Sequence, residues 1–213
     1  MYSSRILAVA AGVLTGLIQL LQPAVSLAQN ATADSERGAQ LIAQTVCSHC
    51  HAPAGKGGDP AIPIIDGQQQ PYLEVQLRMF RAQRLRDPDA GHYMPAISTT
   101  WLMSDQMLTD VANYYASRTA PSGTGADPRN AAGRRLYETG GLAPDFPACG
   151  VCHGANAKGL SVFPRLAGQH PEYLTKLMKM QRVGLYEHGS HTAALAPLND
   201  AQIDALAQYL GGM

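Results

Sequence analysis

The residues most able to do chemistry in this 213-residue sequence are four cysteines, and all four fall in the pattern C-x-x-C-H. They stand as Cys47, Cys50 and His51 in the first half, and as Cys149, Cys152 and His153 in the second. Two thiols at this spacing add across the two vinyl groups of one porphyrin, and a histidine directly after them then sits under the iron as an axial ligand. A thioredoxin-like redox pair does not need that histidine, and no βαβ pattern surrounds either pair. A zinc site needs its ligands gathered into one set, and leaves two separate pairs, each with its own histidine, unexplained. The sequence therefore implies two covalently bound haem c groups, one in each half.

The compartment agrees with that chemistry. Arg5 supplies a positive start, residues 6–21 are apolar and nearly uncharged, and Ser26 and Ala28 fit a small-residue cleavage site. Residues 1–28 read as a cleaved signal peptide and the rest as a periplasmic protein; the competing reading keeps the segment as a membrane anchor, for which the apolar run is short. Four cysteines in an exported chain would otherwise suggest disulfides. Sixteen basic and sixteen acidic residues balance, so no basic field argues for nucleic acid. Nothing in the sequence resembles a substrate pocket with an acid, a base and a nucleophile.

The elements that must position these groups come twice. Gly67-Gln68 precedes Tyr72-Leu73 as Gly168-Gln169 precedes Tyr173-Leu174, with Pro63 and Pro164 four residues before each glycine. The segment from Ser104 to Ser117 matches that from Asn199 to Gly212, and the one from Arg37 to Ala43 matches Ala132 to Glu138. Each half reads as three helices around loops: one leading to the cysteines from about Glu36 or Asn130, one starting near Pro71 or Pro171, and one capped by Ser104 or Asn199. Met107, Leu108, Val111, Tyr114 and Tyr115 recur at helical spacing, as do Ile203, Leu206, Tyr209 and Leu210, and predict core faces. No strand is predicted. The fold class is all-α, with domains at 29–118 and 131–213 and a Gly/Pro/Ser/Thr-rich linker at 119–130.

The paired C-x-x-C-H motifs, the Pro…Gly-Gln…Tyr-Leu run and the closing Asp…Tyr helix resemble the di-haem cytochrome c4 family, from about Glu36 to Gly212. The resemblance implies two class I cytochrome c domains that carry electrons to and from membrane-bound respiratory enzymes, with possible peripheral membrane association. It implies a His/Met ligand pair at each iron, and makes the Pro63 and Pro164 carbonyls acceptors for the ligating histidines, which fixes their rings. The sixth ligand is expected from the loop before the last helix. In the first half Met94 is the candidate and His92 its rival, while Met103 is expected to pack.

The second half departs from the pattern, because its loop holds no methionine. Met178 and Met180 are expected to be core, and Met213, the last residue, to be loose. His191 lies nine residues before Asp200, where the resemblance places the ligand, and His188 is the alternative. An open iron is the third reading. A bis-His iron has a lower potential than a His/Met one, so the two haems are expected to be unequal. Arg78, Arg81, Arg84 and Arg86 read as a solvated face, a propionate clamp or a docking patch that the second half lacks. Tyr72 and Tyr173 are expected to pack against their haems or to hydrogen-bond within the core.

Three functions compete: an electron carrier between a respiratory or dehydrogenase donor and an acceptor such as an oxidase, a haem enzyme with an open second iron, and the cytochrome subunit of a dehydrogenase complex.

Overall fold

The structure is a computed structural model and describes residues 34–51, 58–82, 100–124, 126–140, 147–185 and 191–213. The signal segment, Met94, His92, His188, Arg84 and Arg86 lie outside the described residues. The first half has α1 (34–43), α2 (Cys47–Cys50), α3 (Gln70–Arg81), a 3-10 turn at Thr100–Leu102, and α4 (Asp105–Ser117). The second half has α5 (Ala131–Thr139), α6 (Cys149–His153), α7 (Pro171–Arg182), α8 (His191–Leu195) and α9 (Asp200–Gly211). The fold is all-α, and the described residues hold only an isolated bridge between Leu160 and Phe163.

Local chemistry starts the helices where the sequence says. Ser104 Oγ accepts from Met107 N at 3.3 Å, and Asn130 Oδ1 accepts from Gly133 N at 3.0 Å. Asn199 and Gln202 form a reciprocal capping box, each side chain accepting from the other's backbone N–H at 2.9 Å. Pro71 and Pro171 sit in the first turns of α3 and α7, where a missing N–H costs nothing.

Each half has its own core. Ile42, Leu73, Met103, Leu108, Val111 and Tyr115 form the first, with Leu108 fully buried. Tyr137, Leu174, Met178, Ile203, Leu206 and Leu210 are among the second, with Ile203 fully buried. Met213 is a correction: it packs against this second core instead of hanging loose. The first and last helices of each half meet backbone to backbone at a glycine. A Cβ on Gly38 would lie 2.2 Å from Asp110 O, and one on Gly133 would lie 2.1 Å from Ala205 O. Arg37 locks the first crossing with two bonds, 3.0 and 3.1 Å, to the buried Asp110 carboxylate.

The basic residues of α3 pair within their own domain. Arg78 and Arg81 both reach Asp105 at the start of α4, at 3.0 and 2.5 Å, and Arg81 donates to Met103 O at 3.0 Å. Lys179 and Arg182 do the same to Asp200 at 3.1 and 2.8 Å, with Arg182 donating to Leu198 O at 2.9 Å. The second half therefore keeps this pair. A cation at the end of one helix meets the carboxylate beginning the next, and Arg81 and Arg182 also hold the backbone just before that next helix, at Met103 and Leu198. That use accounts for Arg78 and Arg81 within the domain.

Candidate haem sites and the seam between them

Helical spacing aims the attachment residues. Cys149, Cys152 and His153 are positions i, i+3 and i+4 of α6, so all three project from one face of a single turn. In the first half α2 carries Cys47 and Cys50, and His51 follows as its cap. None of the four sulfurs is bonded to another. Thr45 Oγ1 lies 3.2 Å from Cys47 Sγ, and burial raises the Cys149 thiol above its ordinary pKa.

Both histidines are buried and turned the same way. His51 Nδ1 lies 2.7 Å from Pro63 O, and His153 Nδ1 lies 2.9 Å from Pro164 O. A carbonyl only accepts, so each Nδ1 carries the proton and each Nε2 keeps a lone pair facing away from the bond. Burial pushes the His51 imidazole below its ordinary value, with the Pro63 carbonyl and the Asp66 carboxylate opposing that. Burial lowers His153 as well; the Pro164 carbonyl opposes it, and the nearby His191 adds to it. A neutral ring with one nitrogen donated and the other available is what a metal-ligating histidine requires.

The far side of the second site is within the described residues. α8 begins at His191, and its ring centre stands 5.9 Å from that of His153, tilted by 48°. That separation would leave room for one metal ion held between two imidazole nitrogens at about 2 Å from each. Thr192 Oγ1 donates to Gln181 O at 2.9 Å, and Leu195 is buried in the second core, so α8 is pinned where it starts. Phe163 flanks His153 edge-on at 6.1 Å. In the first half the Tyr115 hydroxyl is buried without a hydrogen-bond partner among the described residues, and Cys47 is among its electrostatic neighbours. An orphaned donor there fits a site that receives a polar group from outside the chain. Desolvation raises the half-buried Tyr72 hydroxyl to about 12.

The two sites share a seam whose role cannot be read from spacing. Gln68 and Gln169, both buried, reach across it. Gln169 Oε1 accepts from Ile64 N at 2.9 Å and its Nε2 donates to Ile64 O at 3.0 Å. Gln68 Oε1 accepts from Arg165 N at 2.6 Å and its Nε2 donates to Arg165 O at 3.0 Å. Gly67 and Gly168, with φ of 65° and 73°, turn the chain just before each glutamine, and Ala120 and Pro121 leave no room for a Cβ at either. The linker is thus packed into the seam, and Thr124 N donates to Gly211 O at 2.8 Å. The repeated Gly-Gln step marks the duplication in the sequence, but its partners lie in the opposite half.

Two helical domains, each presenting a C-x-x-C-H turn with its histidine set by a proline carbonyl, define a tandem c-type cytochrome. The cytochrome c family profile matches residues 35–118 and 130–213. Cytochrome c4 of Thiocapsa roseopersicina is 34% identical over 178 residues, covering 80% of this chain and 88% of that protein. The crystal structure of reduced recombinant cytochrome c4 from Pseudomonas stutzeri superposes with a TM-score of 0.69 at 31% identity, covering 86% of this chain and 98% of that one. A protein of Thiomonas intermedia named thiosulfate dehydrogenase electron acceptor is 35% identical over 175 residues, covering 77% of this chain and 76% of its own. The chain belongs to the di-haem cytochrome c4 family, binds two covalent haem c groups and transfers electrons between redox protein partners.

A prediction follows from the size of the cores. A small domain buries a smaller fraction of its surface on folding than a large one, and a covalent haem would add a large apolar group to each interior. Preventing haem attachment with Cys→Ala substitutions in both motifs is expected to abolish cooperative unfolding and most helical circular dichroism. Native helix content in that variant would overturn this.

Proposed function

We propose that the protein is a periplasmic electron carrier with a His/Met iron in its first domain and a bis-His iron in its second. His51 and Met94 ligate the first iron, and His153 and His191 the second. The observation that carries the second half of this reading is the 5.9 Å spacing of the His153 and His191 rings. The absence of methionine from the loop at 183–198 supports it, and His188 in the same loop is the alternative ligand. A haem supplies a one-electron iron couple, while the chain sets its potential through ligands and their hydrogen bonds.

An imidazole donates more strongly to ferric iron than a thioether, so the second site holds the lower potential. Electrons then run downhill from the second domain to the first. The donor is a dehydrogenase or respiratory complex and the acceptor a terminal enzyme such as an oxidase; the Thiomonas relative's name supports a dehydrogenase donor. No described helix is long and apolar enough to cross a membrane, and residues 1–28 serve as the export signal. Fractionation placing the mature chain in the cytoplasm would sink the compartment.

Absorption spectra of the oxidised protein test the ligands. The weak methionine-to-iron band in the red is expected at the intensity of one haem, and the reduced protein is expected to bind no carbon monoxide. Two methionine bands would remove His191 from the site. Carbon monoxide uptake at the second haem would favour an open iron and the enzymatic reading.

A further inference from the structure

The seam contains a second relation that links each glutamine to the other half's histidine. Pro63 O, which accepts from His51 Nδ1 at 2.7 Å, belongs to the same peptide unit as Ile64 N. Ile64 N donates to Gln169 Oε1 at 2.9 Å. The continuous path is therefore His51 ring, Pro63–Ile64 peptide, Gln169 amide. In the other direction, Pro164 O accepts from His153 Nδ1 at 2.9 Å, and Arg165 N in that same peptide donates to Gln68 Oε1 at 2.6 Å. Each glutamine also donates its Nε2 to the following carbonyl, at 3.0 Å in both cases, so its orientation is fixed: a flipped amide would oppose donor to donor and acceptor to acceptor.

A peptide whose N–H is engaged becomes a stronger acceptor at its C=O, because the two bonds polarise the same unit. A stronger acceptor behind Nδ1 makes the imidazole a stronger donor at Nε2. Stronger donation stabilises ferric over ferrous iron. We propose that Gln169 and Gln68 are crossed positioning residues, each setting the acceptor strength of the carbonyl behind the axial histidine of the opposite domain. Gln169 thereby lowers the potential of the first haem, and Gln68 that of the second. The proposal rests on His51 and His153 as the axial ligands.

The test uses the holoprotein, with Gln169→Leu and Gln68→Leu made separately and haem methyl NMR shifts followed through a redox titration, so that each potential is assigned to its haem. Gln169→Leu is expected to shift the first haem toward the reduced form roughly threefold at fixed ambient potential, about 28 mV at 59 mV per decade for a one-electron couple. The second haem is expected to move less, and Gln68→Leu to reverse the pattern.

Two haems moving together, or each glutamine moving the haem of its own half, would mean that the glutamines only hold the domains in place, and overturns the proposal. An unchanged first haem alongside faster exchange of the Ile64 amide does so too, since the bond is then broken without effect. Paramagnetically shifted imidazole signals assigned to His51 and His153 in the parent protein separate this failure from failure of the ligand reading. Their absence would remove both.

Discussion

His191→Met is expected to raise the potential of the second haem by on the order of 0.2 V, a quarter of the roughly 0.8 V range that axial ligands span. It should also double the red methionine-to-iron band of the oxidised protein. On the proposed ligand set, the substitution would replace an imidazole, the stronger donor to ferric iron, by a soft thioether that favours ferrous iron, at a residue whose neighbours Thr192 and Leu195 hold the start of α8 in place. His191→Ala is the companion variant, expected to leave the sixth position open so that the reduced protein binds carbon monoxide at one haem. His188→Ala should change neither readout. A carbon monoxide complex appearing with His188→Ala and not with His191→Ala would transfer the ligand role to His188.

Gly133→Ala is expected to destabilise the second domain by about 3 kcal/mol, which in a domain of this size lowers its melting temperature by roughly 12–24 °C. Two effects oppose each other. Alanine is the better helix former by about 1 kcal/mol, and Gly133 is the third residue of α5. The new methyl, however, would sit 2.1 Å from Ala205 O and 2.8 Å from Tyr209 Cβ, and backbone cannot move aside cheaply. Steric cost wins. Gly38→Ala should do the same to the first domain, where the obstacle is Asp110 O at 2.2 Å. Haem-resolved thermal melts would check both, each variant lowering one transition more than the other. An unchanged or raised melting temperature for either would mean the helices separate at little cost.

Local signals in this chain carried most of the fold. Ser104, Asn130 and Asn199 cap helices through their own side chains, and Pro71 and Pro171 start them, because these effects act within a few residues. The stripe of Leu108, Val111 and Tyr115, with its counterpart at Ile203, Leu206 and Leu210, is buried as its spacing predicts. The fourth helix of the second half was not legible. α8 has five residues, too few for a period to emerge, and it is held by Thr192 on α7 and Leu195 in the core. The pairing of Lys179 and Arg182 with Asp200 was hidden by the change from Arg to Lys and by a shorter loop. The C-x-x-C-H residues were legible because attachment needs them adjacent in the chain. The roles of Gln68 and Gln169 were not, because their partners lie about a hundred residues away.

The exchange at the seam follows the rule of an isologous contact: residue i of one half meets j of the other, and j of the first meets i of the second. Gln68 on Arg165 and Gln169 on Ile64 are the same contact read in two directions. Such a surface is self-complementary, and it is the kind a two-fold homodimer of single-haem subunits would present. The segment around Ala120 and Pro121 then works as a tether that replaces a concentration-dependent pairing with an intramolecular one. A chain in this state is free to let its halves diverge, since neither must any longer recognise a copy of itself. Arg165 in the place that Ile64 holds in the first half, and a loop at 183–198 without methionine, are the marks of that freedom.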